Sequence, residues 1–304
     1  MAGSSDDTPV RAILKLTYRC NSHCLFCRVD PHRAGGIPDV PAPDVVRRMA
    51  AARDPGVGMV LFSGGEPTLR DDLPTLARAA TSLGLRWGLI TNGRRLAYAP
   101  YRDAMVALGL AYVHTSLHGS CAATHDALVQ CAGFDHVIAA LDGLAGRGIE
   151  LHVNTVLNRT NLHEIADIAG LLAFRAPITH KLCLAEPRGL FDEHADLLLV
   201  PPEEAAIAAV AEVRRSRDAA TGVTTVVLGF PACQVEAASD AVSGLRGHNI
   251  LWMAEAFEDD LYPTDDGART FPAACEGCTL RQTCPGVWSG YADRYGDVGL
   301  KPRH

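Results

Sequence analysis

The sequence predicts an α/β fold: a partial (β/α)6 TIM-like barrel with a small cysteine-bearing extension at its C-terminal end. Two observations predict it. Short apolar runs alternate with amphipathic helical stretches over residues 10–190, which is typical of βαβ units around a parallel sheet. After Gly189 this alternation stops, and a segment rich in Gly, Pro and Asp carries four of the ten cysteines.

Six strands are predicted from the apolar runs, and five helices from the 3.6-residue periodicity between them. The strands are expected at 12–17, 59–64, 86–92, 112–117, 150–157 and 178–185. The helices are expected near 43–53, 71–83, 100–108, 134–147 and 162–174. Because a complete barrel of this kind needs about eight units, a six-unit open barrel and a doubly wound sheet both fit the pattern.

The chain is expected to divide into three parts. Residues 1–9 are small and polar and form a disordered tail, and residues 10–190 form the barrel. Residues 191–304 form a bridging helix at about 203–219, which follows a Pro-Pro pair, and then a small unit. That unit has too little apolar material for a core of its own, so a metal centre is expected to hold it together.

The composition is that of an ordinary globular protein, with 48% hydrophobic and 21% charged residues among 304. The formal net charge is −7 and no run of Lys or Arg occurs, which disfavours nucleic acid and anionic membranes and fits a cationic or neutral small substrate. Because the sequence shows no secretory signal and no apolar run of membrane-spanning length, a cytoplasmic protein is expected. In that compartment, ten cysteines are better interpreted as metal ligands or catalytic thiols than as disulfides.

Three cysteines follow the first predicted strand in the segment TYRCNSHCLFCR: Cys20, Cys24 and Cys27. The C-x3-C-x2-C spacing lets one short loop hold three irons of a cubane and leave the fourth iron open. Phe26 lies just before the last cysteine, where its ring would shield the edge of the cluster. Taken alone, the loop also suits a zinc knuckle.

One βα unit later, the second predicted strand ends in FSGGEPTL (62–69). Two glycines let the backbone approach a ligand closely, and Glu66 offers an acceptor for an ammonium group. The cysteine loop and this segment together resemble the signature of the radical S-adenosylmethionine (SAM) superfamily. The resemblance covers about residues 10–190. It implies a SAM-binding [4Fe–4S] cluster on the three cysteines, with Gly64, Gly65 and Glu66 at the amino group of SAM.

Polar residues stand at the ends of three further predicted strands. Thr91 and Asn92 end the third strand in the segment TNG, Ser116 lies on the fourth and Asn154 lies on the fifth. In radical SAM enzymes such strand tips contact the ribose and the methionine carboxylate of SAM, and the resemblance implies that role here. For TNG, a plain Asn-Gly turn is the alternative. Ser116 and Asn154 are expected on the strand face opposite the helix-facing apolar positions.

Four cysteines lie in the C-terminal segment: Cys233, Cys275, Cys278 and Cys284. Four thiolates can close a tetrahedral zinc site or ligate a second [4Fe–4S] cluster completely, and spacing alone does not separate the two. The C-x2-C-x5-C-x-G run with an upstream cysteine resembles the Twitch extension of radical SAM enzymes. The resemblance implies one auxiliary [4Fe–4S] cluster, which exchanges electrons rather than binding substrate.

The sixth predicted strand carries a further candidate, Cys183, in THKLCLAEPRG. Leu182 and Leu184 alternate with it toward the helices, so Lys181 and Cys183 are expected to face the barrel interior. A thiol there can return a hydrogen atom to a substrate radical, whereas a buried core cysteine is the plain alternative. Lys181 and His152 are candidates for handling the proton or the negative charge of a carbinol, and a role in orientation or solvent contact at a strand end is the favoured alternative.

These features resemble the Twitch-type radical SAM epimerases and dehydrogenases of aminoglycoside biosynthesis, and most closely the epimerase type of the hygromycin B pathway. The resemblance implies that a 5′-deoxyadenosyl radical removes hydrogen from a carbinol carbon of an aminoglycoside or aminocyclitol intermediate, and that Cys183 returns hydrogen to the opposite face. It also implies an electron donor such as flavodoxin or ferredoxin. Acidic residues at or beyond the strand ends, namely Glu186, Asp192, Glu193 and Asp196, are candidates for binding substrate amines, and a solvated face is the alternative, favoured for at least two of them.

Three other functions fit parts of the pattern. Without a hydrogen donor, the same chemistry would give a dehydrogenase that leaves a ketone. Modification of a ribosomally made peptide is a second function, disfavoured because the 19 residues before Cys20 are too few for a peptide-recognition domain. The third is a zinc-stapled binding protein without catalysis, which predicts colourless protein and no use for the GGEP segment.

Overall fold

The computed structural model describes residues 9–28, 35–242, 249–258, 260–263 and 269–304, so the expected tail at 1–9 lies outside the described residues except for Pro9. Its strands are β1 (Arg11–Thr17), β2 (Met59–Gly64), β3 (Arg86–Ile90), β4 (Leu110–Ser116), β5 (Glu150–Val156), β6 (Ile178–Cys183), β7 (Val223–Leu228), β8 (Ile250–Ala254), β9 (Tyr262–Pro263), β10 (Arg269–Thr270) and β11 (Val287–Trp288). Its α-helices are α1 (Ala42–Ala52), α2 (Leu73–Ser82), α3 (Ala99–Ala107), α4 (Ala122–Val129), α5 (Phe134–Leu144), α6 (Ile165–Ala173), α7 (Leu190–Glu193), α8 (Ala195–Leu198), α9 (Pro202–Asp218) and α10 (Ser289–Tyr295).

The main sheet runs in the order β7-β6-β5-β4-β3-β2-β1-β8-β9, and every neighbouring pair except β8–β9 is parallel. Strands that follow one another in sequence lie side by side, as in a barrel. A doubly wound sheet would reverse its order partway along. The α/β fold with a mostly parallel central sheet is therefore confirmed, and the doubly wound alternative is wrong.

The main sheet contains more strands than the six predicted, because it continues past residue 190. The run TTVVLGF lies within residues 191–304, which the sequence predicts as bridging helix and extension, yet it contains most of β7, which pairs with β6 in parallel. Strand β8 (ILWMA) returns to pair with β1 at the other edge. The signal for β8 is weak, since five residues in an irregular stretch show no clear period. The division of the chain at 190/191 stays a prediction, but it does not separate the strands of the sheet.

The helices pack on the outer face of the sheet and leave a narrower interior face. Leu182 and Leu184 are buried in one cluster with Ala205 and Ala209 of α9, as their alternation in β6 predicts. The bridging helix itself follows local rules: Pro202 begins it, acidic residues occupy its first turn and Arg215 its last. The interior face carries its own apolar cluster on the β1–β4 side, formed by Ile13, Met59, Leu61, Tyr112 and Ile250.

No single helix in the described part of the chain is long and apolar enough to cross a membrane. The pair α4 and α5 meets that test by length and composition only when joined, and the two helices are bent by 106°.

Candidate active site

The three-cysteine loop lies at the carboxyl end of β1 and is anchored to the end of α4. The backbone N–H of His23 donates to the carbonyl of Val129, and that of Leu25 donates to the carbonyl of Leu128, both at 3.0 Å. Burial and the neighbouring thiols of Cys27 and Cys20 raise the pKa of Cys24. The three thiols therefore share one small region, as ligands of a single centre must.

Positions 64 and 65 must be glycine because the backbone that leads into the cysteine loop passes close to both of them. A Cβ on Gly64 would lie 2.0 Å from the carbonyl oxygen of Thr17, and one on Gly65 would lie 2.4 Å from that of Arg19. Gly64 also has φ +133°, where other residues are strained. Sequence reasoning assigned the glycines to a ligand. In the structure they both line the cavity and make room for the backbone that positions the cysteines.

Glu66 has a different environment from the one its predicted role implies. Its carboxylate is 0% exposed and accepts hydrogen bonds from the N–H of Thr68 (3.0 Å), both threonine hydroxyls (2.6 Å from Thr68, 2.7 Å from Thr91) and the N–H of Asn92 (2.7 Å). Burial raises its pKa, and these donors oppose that rise. The carboxylate ties the end of β3 to the turn after β2, and a contact with the amino group of SAM stays a prediction.

An open cavity of about 410 Å³ lies over the carboxyl ends of β1 to β5. That volume is within the range of small-molecule and cofactor sites, roughly 300–1,000 Å³. The cavity brings together most of the residues proposed from the sequence: Cys20, Cys24, Phe26, Cys27, Gly64, Gly65, Thr91, Asn92, Ser116 and Asn154. Glu66 is the cofactor-binding candidate that does not line it.

Sequence reasoning missed several residues of the same wall, among them Arg28, Arg94, His118 and His125. The ring of His118 stands edge-on to Phe26 at 4.7 Å and stacks on His125 at 5.8 Å. Burial lowers the pKa of both histidines, that of His125 to about 4, so both rings are neutral at physiological pH. The available signal was HTSLHGS, where His118 stands just past the end of β4.

Cys183 ends β6 beside the cavity and does not line it. Its strand partner Val156 does line it, and Asn154, which also lines it, lies opposite Lys181. The thiol is partly buried. Burial raises the pKa of Cys183 to about 11, so the side chain is S–H at neutral pH.

The two proton-handling candidates differ in their partners. His152 Nε2 lies 2.7 Å from Glu150, which is also held by Arg11 at 2.7 and 2.9 Å, and burial lowers the pKa of His152 to about 4. Lys181 is 2% exposed and makes no hydrogen bond or ion pair within the described ranges. Burial and the charge of Arg11 lower the pKa of Lys181 to about 7. Lys181 is therefore the group able to exchange a proton near neutral pH.

The four C-terminal cysteines all line one small cavity. Their sulfurs accept hydrogen bonds from the main chain: Cys284 from Ala232 (3.3 Å) and Gly286 (3.4 Å), Cys278 from Arg303 (3.3 Å) and Cys233 from Lys301 (3.5 Å). Such bonds stabilise thiolates and tune the reduction potential of iron–sulfur clusters. The four thiols that share this cavity form the candidate donor set for a metal centre.

The spacing of the thiols bears on which metal centre each cysteine group could hold. Within the described segments, no three His, Cys, Asp or Glu side chains are spaced to hold one ion. A single zinc would need its sulfurs at about 2.3 Å from one point. A cubane places each thiolate on a different iron and so tolerates wider spacing.

A parallel barrel with a three-thiol loop over its first strand defines the class of barrel enzymes with a thiolate-bound metal centre. The family model described as the Radical SAM superfamily matches residues 14–172, just over half of the chain. The chain therefore belongs to the radical SAM superfamily, whose enzymes use a [4Fe–4S] cluster and SAM.

Curated relatives match mainly through the barrel. An AdoMet-dependent heme synthase of Nitratidesulfovibrio vulgaris is 30% identical over 176 residues, 58% of this chain and 48% of that protein. A PqqA peptide cyclase of Rhodopseudomonas palustris is 35% identical over 168 residues, 54% and 43% of the two chains. A PqqA peptide cyclase of Xanthomonas euvesicatoria is 27% identical over 310 residues, 90% and 81%. The chain spans about half the length of the first two.

Solved structures match over nearly the whole chain. Streptococcus suis SuiB bound to S-adenosylmethionine superposes with a TM-score of 0.68 at 16% identity, covering 97% of this chain and 76% of SuiB. Native anSMEcpe with bound AdoMet and Cp18Cys peptide gives 0.66 at 13% identity, covering 96% and 92%. At these identities the likeness shows the fold alone.

Proposed function

We propose that the protein is a radical SAM carbinol epimerase acting on an aminoglycoside or aminocyclitol intermediate, and that Cys183 returns hydrogen to the face opposite the one that lost it. One observation carries the proposal: the thiol ends β6 next to Val156 of the cavity wall and has a pKa of about 11. Only S–H can donate a hydrogen atom, and the raised pKa keeps the thiol in that form.

Seven cysteines and the polar strand ends are the proposed binding sites for two clusters and SAM. Cys20, Cys24 and Cys27 would hold the SAM-binding cluster, and the four C-terminal cysteines would hold an auxiliary one. When bound, the clusters and SAM supply single electrons and a 5′-deoxyadenosyl radical, with flavodoxin or ferredoxin as the proposed outside donor. SAM would lie along the strand tips of the cavity, at Gly64, Gly65, Thr91, Asn92, Ser116 and Asn154.

Atoms and electrons balance in three steps. The carbinol C–H bond breaks, and its hydrogen ends on 5′-deoxyadenosine. The S–H bond of Cys183 then breaks, a new C–H bond forms on the opposite face of the carbon, and a sulfur radical stays on Cys183. One electron and one proton restore the thiol. Lys181, with a pKa of about 7 and a position two residues before Cys183, accepts the carbinol O–H proton while the carbon carries the radical and returns it to the oxygen once the new C–H bond has formed.

A second candidate, peptide modification, is favoured by one finding. The PqqA peptide cyclase of Xanthomonas euvesicatoria matches 90% of this chain, including the C-terminal part. In that case Cys183 packs against the sheet without donating hydrogen, and the cavity opens toward a peptide.

The test compares wild type with Cys183→Ala in D2O, after anaerobic reconstitution with SAM, reductant and an aminoglycoside precursor. Cys121→Ala is the matched control, because Cys121 is exposed and outside the cavity. Wild type and control are expected to bind about eight irons, and to form 5′-deoxyadenosine and an epimer with one carbon-bound deuterium. Cys183→Ala should form 5′-deoxyadenosine and a ketone.

Two results contradict the proposal. If Cys183→Ala still yields the deuterated epimer, another group is the donor. If wild type yields only ketone, the protein is a dehydrogenase. A parallel incubation with candidate precursor peptides, read by mass spectrometry, tests the second candidate directly.

A further inference from the structure

The four acidic residues expected to bind substrate amines have different environments. Asp192 is exposed and paired with Arg294 at 2.8 Å, and Glu193 and Asp196 are also exposed. Glu186 alone among the four is buried, with 3% of its surface exposed. Because a buried carboxylate is costly unless it is paired and hydrogen-bonded, its partners are informative.

The partners of Glu186 are two arginines that approach it from solvent. Arg28 lies 3.3 Å from Oε2 and Arg188 lies 3.3 Å from Oε1, and the side chains are 58% and 62% exposed. Oε2 accepts no hydrogen bond within the described part of the chain, since the Arg28 contact is not directed at it. Glu66 provides the contrast, since it is equally buried but accepts four directed hydrogen bonds.

Glu186 also lies between the two parts of the proposed reaction. It follows Cys183 by three residues, and Arg28 directly follows Cys27 and lines the cavity. Ala185 packs in one apolar cluster with Leu25 and Phe26 of the cysteine loop. The carboxylate therefore stands where the cysteine loop meets the end of β6.

We infer that Glu186 binds a primary ammonium group of the substrate; this inference rests on the proposed function and names the contact that would orient an aminocyclitol. An ammonium group has three N–H donors in a compact head, so it can give Oε2 the directed hydrogen bond that it lacks. The ammonium takes the place of Arg188 at Oε1 with one N–H and reaches Oε2 with another, and the exposed guanidinium of Arg188 returns to water. Held there, the ring of the substrate lies beside Cys183.

The experiment measures binding rather than turnover, on the reconstituted full chain with SAM present. The probes are 2-deoxystreptamine, a 1,3-diaminocyclitol, and its di-N-acetyl derivative, which lacks the ammonium groups. Glu186→Gln should weaken binding of the diamine by about tenfold or more, which is roughly 1.4 kcal/mol, and should leave the acetylated compound unchanged. Glu204→Gln, the same change at an exposed carboxylate of α9 outside the cavity, is the matched control and should bind the diamine as wild type does.

A second variant separates recognition from a structural role. If Arg188 competes with the substrate ammonium, Arg188→Ala should tighten binding of the diamine. If the arginines only support the fold, Arg188→Ala should leave that binding unchanged or weaken it. That result, or equal weakening of both probes by Glu186→Gln, would overturn the inference. A thermal unfolding midpoint for each variant shows that it is folded.

Binding and turnover fail separately. If Glu186-dependent binding is found but no epimer forms in D2O, the ammonium site stands and the epimerase proposal falls. If wild type epimerises the diamine and Glu186→Gln does so with unchanged KM, the epimerase proposal stands and the ammonium site falls.

Discussion

The two cysteine groups of the molecule differ in what surrounds them. Cys20, Cys24 and Cys27 border a cavity of about 410 Å³ whose wall holds hydroxyl, amide and imidazole groups from the ends of three other strands, β3, β4 and β5. The four C-terminal cysteines line a small cavity with mainly apolar neighbours, and main-chain N–H groups bind three of their sulfurs.

On the proposed assignment, this difference separates a reactive centre from a centre that only transfers electrons. Three thiols leave one iron of a cubane open, and a polar cavity beside it can hold a ligand on that iron. Four thiols leave none, and N–H···S bonds adjust the potential instead. The contrast predicts that damage to one site leaves the iron of the other in place, with different losses of function.

The largest effect is expected from Cys24→Ala. Loss of a ligand to a three-thiol cluster removes that cluster, so SAM cleavage should fall to background while about four irons remain. Iron and sulfide analysis with 5′-deoxyadenosine quantification measures both. Retention of SAM cleavage would show that the SAM-binding cluster is not held by Cys20, Cys24 and Cys27.

Cys284→Ala is expected to act later in the reaction. Cys284 accepts two main-chain hydrogen bonds, so its loss should release the auxiliary cluster and about four irons. SAM cleavage should persist, while epimer formation should stop after about one turnover because the sulfur radical of Cys183 is no longer reduced. A variant that turns over many times would show that the two sites do not communicate.

The smallest of the three effects is expected at Lys181, the base proposed for the reaction beside the three-cysteine cavity. Because a base must be unprotonated to act, the wild-type rate should rise with pH up to about 7 and then level. In Lys181→Met that limb should vanish and epimer formation should fall by about 10²-fold, with iron content and SAM cleavage unchanged.

Stability gives an independent measure of the same residue. The folded-state pKa of Lys181 lies below its ordinary value of 10.5, so the unfolded chain binds more protons between pH 7 and that value. Wild-type stability should therefore rise with pH across this window. Lys181→Met should lack that rise and should have a higher unfolding midpoint at pH 7. An unchanged midpoint would indicate that the amine is not buried in solution.

The sequence predicted those parts of the site that carry a local pattern. The cysteine spacing, the two glycines and the polar strand tips are short-range signals, and each is found at the cavity wall. The hydrogen-bond partners of a side chain are harder to predict from the sequence. The sequence predicts that Glu66 is free to accept a hydrogen bond from a ligand. In the folded protein, β3 lies beside β2, and Thr91 and Asn92 at its end already donate to Glu66.

The same holds for contacts made across the fold. Arg28 and Glu186 are 158 positions apart, and no periodicity relates them, so their ion pair could not be predicted. Strand β8 was missed for a similar reason, since its partner β1 lies more than 230 residues earlier. Long-range pairing depends on the shape of the whole chain rather than on its local composition.

The position of β7 and β8 has a consequence for how the molecule can be divided. These two strands cover opposite rims of β1–β6, one beside β6 and the other beside β1. A fragment ending near residue 190 would therefore expose two rows of unpaired peptide groups, which invite self-association. The strands before residue 190 and those after it therefore complete one sheet, and we expect a barrel fragment without β7 and β8 to aggregate.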